Sequence, residues 1–111
     1  MLRIEEKDQN CRAYIEGDMT IYTISELKDR LMPLIEAWKE LDINLANVTE
    51  IDSAGVQLLM LAKKERAAQN LALTLSEHSN TVLDVFELMD LVAYFNDPVV
   101  LSGDKGEKNG S

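Results

Sequence analysis

The chain has 111 residues, a formal net charge of −9 and one cysteine, Cys11. This length is typical of one domain that builds its core without disulfides or metal ions, and a single cysteine favours a reducing compartment. The acidic balance argues against nucleic-acid binding, which needs clustered Lys and Arg, and no apolar stretch is long enough for membrane insertion. Residues 1–10 carry charges where a secretory signal would be apolar, so we predict a cytoplasmic protein.

The first third of the chain predicts two strands and a helix. Apolar and polar residues alternate at 2–5 and again at 11–16 with no helix between them, which predicts an antiparallel hairpin or an edge pair. Thr23 and Glu26 have the spacing of a capping box, and apolar residues at helical spacing follow. Pro33 lies inside that pattern and is expected to kink the helix or to reduce its hydrogen bonding.

The rest of the chain alternates strands with helices. The predicted elements are a strand at 43–48, a helix at 54–69 capped by Asp52-Ser53, a strand at 71–75, a helix opened by Ser79-Asn80, a helical turn at 91–95 and an edge strand at 98–101. Residues 102–111 lack apolar side chains and predict a disordered tail, so the domain is expected to span residues 1–101. This alternation predicts an α/β fold with a four- to five-stranded mixed sheet and helices mainly on one face.

The second helix carries two apolar stripes. Leu58, Leu59 and Ala62 form one, and Val56 with Met60 forms the other. A helix that is apolar on two sides is either deeply buried or covered by a partner, and the spacing leaves both open.

The sequence contains no set of residues suited to catalysis. The only histidine, His78, has no predicted orienting partner, and Cys11 falls on the inward side of its strand. No Cys/His cluster has metal-ligand spacing, and the scattered glycines form no phosphate-binding loop. We therefore expect a protein that is not an enzyme and that needs no metal ion or cofactor.

One segment is distinctive: residues 51–55, Ile-Asp-Ser-Ala-Gly, follow a strand and open a helix. The segment resembles the hallmark of STAS domains, and above all that of the stand-alone anti-sigma factor antagonists. The resemblance covers about residues 2–101, with the elements in the family's order. Gly17 falls where the family has a Gly-acidic-apolar-Asp loop, and Glu87-Leu88-Met89 falls near its Glu-Leu-Thr-Gly segment.

The resemblance implies a phosphorylation switch. In that family the unphosphorylated antagonist binds a partner, commonly a serine kinase anti-sigma factor, which phosphorylates the first serine of the motif, and a phosphatase resets the protein. The resemblance implies that the phosphorylated residue of this chain is Ser53, that Asp52 helps to position it, and that Gly55 lets the partner approach the backbone. A helix N-terminus also favours an anion, while like charges across an interface oppose binding. From the residues alone, the favoured interpretation of Ser53 is an ordinary helix cap.

The sequence departs from the family pattern in three places. Ala54 replaces the second serine, Thr20 replaces an acidic residue common three positions after the loop glycine, and Glu50 replaces an apolar residue and suggests a partner-specific surface. The predicted partner-binding residues are Thr20, Glu50, Asp52, Ala54, Gly55, Val56 and Met60.

Two other hypotheses for the function remain. One is a non-phosphorylated STAS subunit of a transporter-ATPase or chemosensory assembly, and the other is a small enzyme or ligand-binding domain. The sequence is also compatible with a homodimer.

Overall fold

A computed structural model describes residues 1–96, which form four strands and four helices. In chain order these are β1 (Leu2–Lys7), β2 (Asn10–Met19), α1 (Ile24–Ala37), β3 (Glu40–Ile51), α2 (Ser53–Ala68), β4 (Leu73–Ser76), α3 (Asn80–Leu88) and α4 (Val92–Asn96). The predicted edge strand at 98–101 and the predicted tail at 102–111 lie outside the described residues.

The sheet is mixed, with strand order β1-β2-β3-β4. The hairpin of β1 and β2 is antiparallel, whereas β2–β3 and β3–β4 are parallel pairs joined by helical crossovers. The register of β2 against β3 shifts on either side of Gly17, whose φ of 94° few other residues adopt readily. The predicted hairpin and the α/β fold are thus confirmed.

One face of the sheet and the helices enclose a single core. Alternate residues of β2, such as Cys11, Ala13 and Ile15, are buried in it together with Leu41, Ile43 and Leu45 of β3. Because strand side chains alternate between faces, their neighbours lie on the opposite side of the sheet. The predicted strand alternation therefore places the helices mainly on this apolar face.

The other face of the sheet is polar. Arg12 Nε lies 3.2 Å from a carboxylate oxygen of Asp42, to which the Ser76 hydroxyl also donates at 2.6 Å. The Arg3 guanidinium lies 4.0 Å from the centre of the Tyr14 ring. These pairs make this face of the sheet suited to contact with water. Exposed ion pairs of this kind contribute little to the stability of the fold.

The start of α1 differs from the prediction. The Thr23 side chain makes no cap hydrogen bond to the helix. Its hydroxyl instead donates to the carbonyl of Asp18 at 2.8 Å and accepts the N–H of Thr20 at 3.0 Å. The predicted capping box with Glu26 is therefore wrong, because the preceding loop engages the threonine. Pro33 lies inside α1, which continues to Ala37.

The two apolar stripes of α2 belong to the core. Val56, Leu58, Leu59 and Ala62 are buried, and Met60 is half-buried against the same cluster. Burial, rather than a covering partner, accounts for most of the apolar surface of this helix.

Arg66 of α2 is also part of the interior. The side chain is 0% exposed and has no carboxylate partner among the described residues. Its guanidinium donates instead to four backbone carbonyls. The acceptors are Ala72 at 3.0 Å, Ile35 at 3.0 Å, Trp38 at 2.6 Å and Lys39 at 3.0 Å. Arg66 therefore ties the end of α1 to the segment that leads into β4.

Candidate functional site

The distinctive segment lies where two parallel strands end. β3 ends at Ile51 and α2 begins at Ser53, while the neighbouring strand β2 ends at Met19. The N–H of Asp52 donates to the carbonyl of Met19 at 3.2 Å, which joins the two strand ends. The carboxyl ends of parallel strands are a common location for binding sites in α/β folds.

Asp52 is the N-cap of α2, as predicted. One carboxylate oxygen accepts the N–H groups of Ala54 and Gly55 at 2.9 and 3.3 Å, and the other accepts the N–H of Ile21 at 2.9 Å. The hydrogen bond from Ile21 lowers the pKa of Asp52 most, those from Gly55 and Ala54 lower it further, and partial desolvation opposes them. Asp52 is therefore an anion at neutral pH, and its side chain accepts two N–H groups of the first helical turn, those of Ala54 and Gly55.

Ser53 is the first residue of α2, and its side chain is exposed. Its hydroxyl makes no hydrogen bond with any of residues 1–96. The interpretation of Ser53 as an ordinary helix cap is wrong, because Asp52 caps the helix. The arrangement leaves a solvent-facing hydroxyl at the positive end of a helix, where an added anion is tolerated.

Gly55 and Val56 are not surface residues. Gly55 is buried, and a Cβ atom there would overlap the carbonyl oxygen of Met19 and lie 2.8 Å from Cγ1 of Ile51. The glycine thus makes room for the end of β2 rather than for a partner, and Val56 is 1% exposed. Both predictions of direct partner contact are corrected, since each residue packs inside the domain.

The other predicted partner-binding residues divide into two groups. Thr20, Glu50 and Asp52 line a groove of about 350 Å³ at the ends of β2 and β3, and Glu50 is exposed. Ala54 and Met60 are half-buried on α2 and do not line it. The structure therefore brings the first three residues together beside Ser53 and leaves Met60 two helical turns away.

Sequence reasoning missed two residues of this region, Ile21 and Tyr22. Their side chains are 68% and 94% exposed in the loop that Asp52 holds. The available signal was two successive large apolar residues between the end of a predicted strand and the start of a predicted helix, where loop residues are usually polar.

A larger hollow, of about 790 Å³, lies at the opposite ends of β2 and β3. Its walls carry charges of both signs, including Lys7, Arg12 and Asp42, and it includes neither Ser53 nor its neighbours. Within residues 1–96 no three potential metal ligands come together, and no helix is long and apolar enough to cross a membrane.

Solved structures share this fold. The anti-sigma factor antagonist SpoIIAA in its unphosphorylated form superposes with a TM-score of 0.71 and 20% sequence identity, covering 85% of this chain and 84% of that one. SpoIIAA, described as a Bacillus cell fate determinant, has also been solved in its phosphorylated form, which superposes with a TM-score of 0.67 and 18% identity over 86% of this chain and 88% of that one.

Sequence comparisons define the family. The anti-sigma-B factor antagonist of Staphylococcus epidermidis is 33% identical over 82 residues, which cover 70% of this chain and 76% of the relative. That of Bacillus subtilis (strain 168) is 26% identical over 93 residues, which cover 80% and 84%. The family described as "Mlab, STAS domain" matches residues 2–100. The chain therefore belongs to the STAS domain family, and the resemblance drawn from residues 51–55 is confirmed.

Proposed function

We propose that this chain is a partner-switching protein of the anti-sigma factor antagonist type. With Ser53 unmodified it binds a kinase-type anti-sigma factor, and phosphorylation of Ser53 by that partner breaks the complex. The supporting observation is the exposed Ser53 hydroxyl, which has no hydrogen bond within residues 1–96 and stands at the first position of α2. The relatives named anti-sigma-B factor antagonists give this site its biological context.

The chemistry of phosphorylation is assigned to the partner. The Ser53 oxygen attacks the terminal phosphorus of ATP held by the kinase, the new O–P bond replaces the bond to ADP, and the hydroxyl proton passes to a base. Asp52 is poorly suited to be that base, because its carboxylate already accepts three N–H groups and its pKa is lowered, first of all by the bond from Ile21. We therefore expect no turnover by this chain alone.

The phosphate should act on the complex and not on the fold. It adds about −1.5 to −2 charges together with the bulk of a tetrahedral group. On the free protein the group remains in water, near the positive end of α2. Under a closely packed partner the same charges and bulk would have to be desolvated and accommodated, which strongly opposes binding. A phosphatase that hydrolyses the phosphoserine then restores binding, and we place this cycle in the cytoplasm.

The test is recovery of the partner from native cells with two Ser53 variants. Ser53→Ala should retain the anti-sigma factor, and Ser53→Asp should retain much less of it. A matched control is Asn80→Asp, which adds one negative charge at the exposed first residue of a different helix, α3. This control should bind as the wild type does, and mass spectrometry should find phosphate on Ser53 of the wild type.

Other outcomes would decide against the proposal. Equal recovery of one partner by all three variants, with no phosphate on Ser53, would show that Ser53 is not a switch. If that partner were the ATPase of a transporter or a chemosensory protein, the chain would be a constitutive STAS subunit instead.

A further inference from the structure

The loop of residues 20–23, between β2 and α1, holds two apolar side chains in solvent. Tyr22 is 94% exposed and Ile21 is 68% exposed. Scattered apolar residues on a surface are ordinary. Two large apolar side chains in succession at a predicted binding site are unusual, because burying either of them under a partner would lower the free energy.

The backbone of this loop is held in place. The carbonyl of Thr20 accepts the N–H groups of Thr23 and Ile24 at 2.9 and 2.8 Å, and the Thr23 hydroxyl accepts the N–H of Thr20 at 3.0 Å. The N–H of Ile21 donates to Asp52 at 2.9 Å. The loop therefore presents its two apolar side chains with little backbone entropy left to lose on binding, which favours affinity.

Acidic groups border the same feature. Asp18 and Glu50 line the groove beside Tyr22, and no Lys or Arg is among the residues that line it. The Thr49 hydroxyl donates to the Asp18 carboxylate at 2.8 Å and fixes it at the rim. Glu50 is exposed and its side chain makes no hydrogen bond or ion pair within residues 1–96, so its charge is available to a partner.

Asp52 links this loop to Ser53. The carboxylate of Asp52 accepts the N–H of Ile21, and Ser53 is the next residue in the chain. A protein that covers Ile21 and Tyr22 therefore lies over or next to the Ser53 hydroxyl. The apolar pair and the modified serine belong to one surface.

We propose that Ile21 and Tyr22 are the apolar anchor of the partner-binding surface, and that the partner covers them with an apolar pocket whose rim carries Lys or Arg opposite Asp18 and Glu50. This inference rests on the proposed function and identifies the surface by which the anti-sigma factor is held. The charge complementarity sets the rate and specificity of association, and the buried aromatic side chain supplies most of the affinity.

The first test measures binding of the purified anti-sigma factor recovered with Ser53→Ala. In calorimetry with the full chain, Tyr22→Ala should raise the Kd about tenfold or more, as truncation of a buried aromatic anchor does. Ile21→Ala should have a smaller effect in the same direction. Leu88→Ala is the matched control, since Leu88 is 86% exposed on α3, and it should leave the Kd unchanged. All three variants should melt as the wild type does, because the side chains are exposed.

The second test addresses the acidic rim. Glu50→Gln should slow association about threefold at low ionic strength and have little effect in high salt, because salt screens exposed charges. The control is Glu87→Gln, at an exposed position of α3, which should leave the association rate unchanged at both salt concentrations.

The outcomes separate this surface from the switch. If Ser53→Asp abolishes binding while Tyr22→Ala binds as tightly as wild type, the anchor is wrong and the switch stands. If Tyr22→Ala weakens binding but Ser53→Asp does not, the anchor stands and the switch is wrong. If no anti-sigma factor is recovered, both proposals fail.

Discussion

The carboxylate of Asp52 accepts the backbone N–H of Ile21 at 2.9 Å across 31 positions of sequence. The same side chain caps α2 through the N–H groups of Ala54 and Gly55. One aspartate thus fixes both the start of the helix that carries Ser53 and the loop that carries Tyr22. A change at this residue should disturb both features together.

Asp52→Asn should lower stability in a pH-dependent way. The amide can retain part of the cap, but it cannot accept from three N–H groups as a carboxylate does. Because the pKa of Asp52 is lowered in the folded state, its stabilisation is complete above the ordinary aspartate pKa of about 3.9 and is lost as the pH falls through the lowered value. The urea midpoints of wild type and variant should therefore differ at pH 7 and converge in acid.

The control for this prediction is Asp29→Asn, because Asp29 is an exposed residue of α1 whose side chain makes no hydrogen bond or ion pair within residues 1–96. A constant difference between wild type and Asp52→Asn from neutral to strongly acidic pH would show that the charge of Asp52 does not contribute.

Gly55→Ala should destabilise the fold. The added methyl group would overlap the Met19 carbonyl oxygen, which belongs to the backbone and cannot rotate away. Forcing extra volume into such a site costs about 1–3 kcal/mol, which exceeds the helix propensity gained by replacing glycine. Urea denaturation should show the loss without any partner present. Unchanged stability combined with lost partner binding would instead support the original interpretation, in which Gly55 makes room for the partner.

Arg66→Met should be among the most destabilising single changes in the chain. Methionine fills much of the space but leaves four carbonyls without their donor, of which that of Ile35 is buried and the other three are partly buried. Leaving a buried acceptor without its hydrogen bond typically costs about 1–3 kcal/mol. Arg66→Lys should recover part of the loss, since an ammonium group reaches fewer of the four acceptors. Lys64→Met, at an exposed position of the same helix, is the control and should change the free energy of unfolding little.

Sequence patterns predicted most of the fold and the centre of the site. Strict alternation at 11–16 identified β2, and the Asp52-Ser53 pair located the start of α2 to within one residue. These predictions succeed because each depends on local chemistry, namely side-chain periodicity and the preference of aspartate for N-caps.

Predictions that depended on contacts outside the predicted element itself were the ones that failed. Thr23 has the local pattern of a capping box, but its hydroxyl is engaged by Asp18 near the end of β2 and by Thr20 in the loop that follows. Arginine is usually a surface residue, but the spacing of seven and four between Arg66 and the buried residues Leu59 and Ala62 places it on the buried side of α2. Only the tertiary structure supplies the carbonyls that make this position favourable.

The last prediction concerns the stability of the Ser53 variants. Ser53→Ala should change the free energy of unfolding by less than about 0.5 kcal/mol, because Asp52 provides the cap and the Ser53 hydroxyl is exposed. Ser79→Ala is the matched comparison, since the Ser79 hydroxyl accepts the N–H of Val82 at 3.3 Å as the N-cap of α3. Loss of that cap should cost about 1 kcal/mol in urea denaturation. A comparable loss for Ser53→Ala would mean that the hydroxyl supports the helix, and a binding change in that variant could then no longer be attributed to a switch.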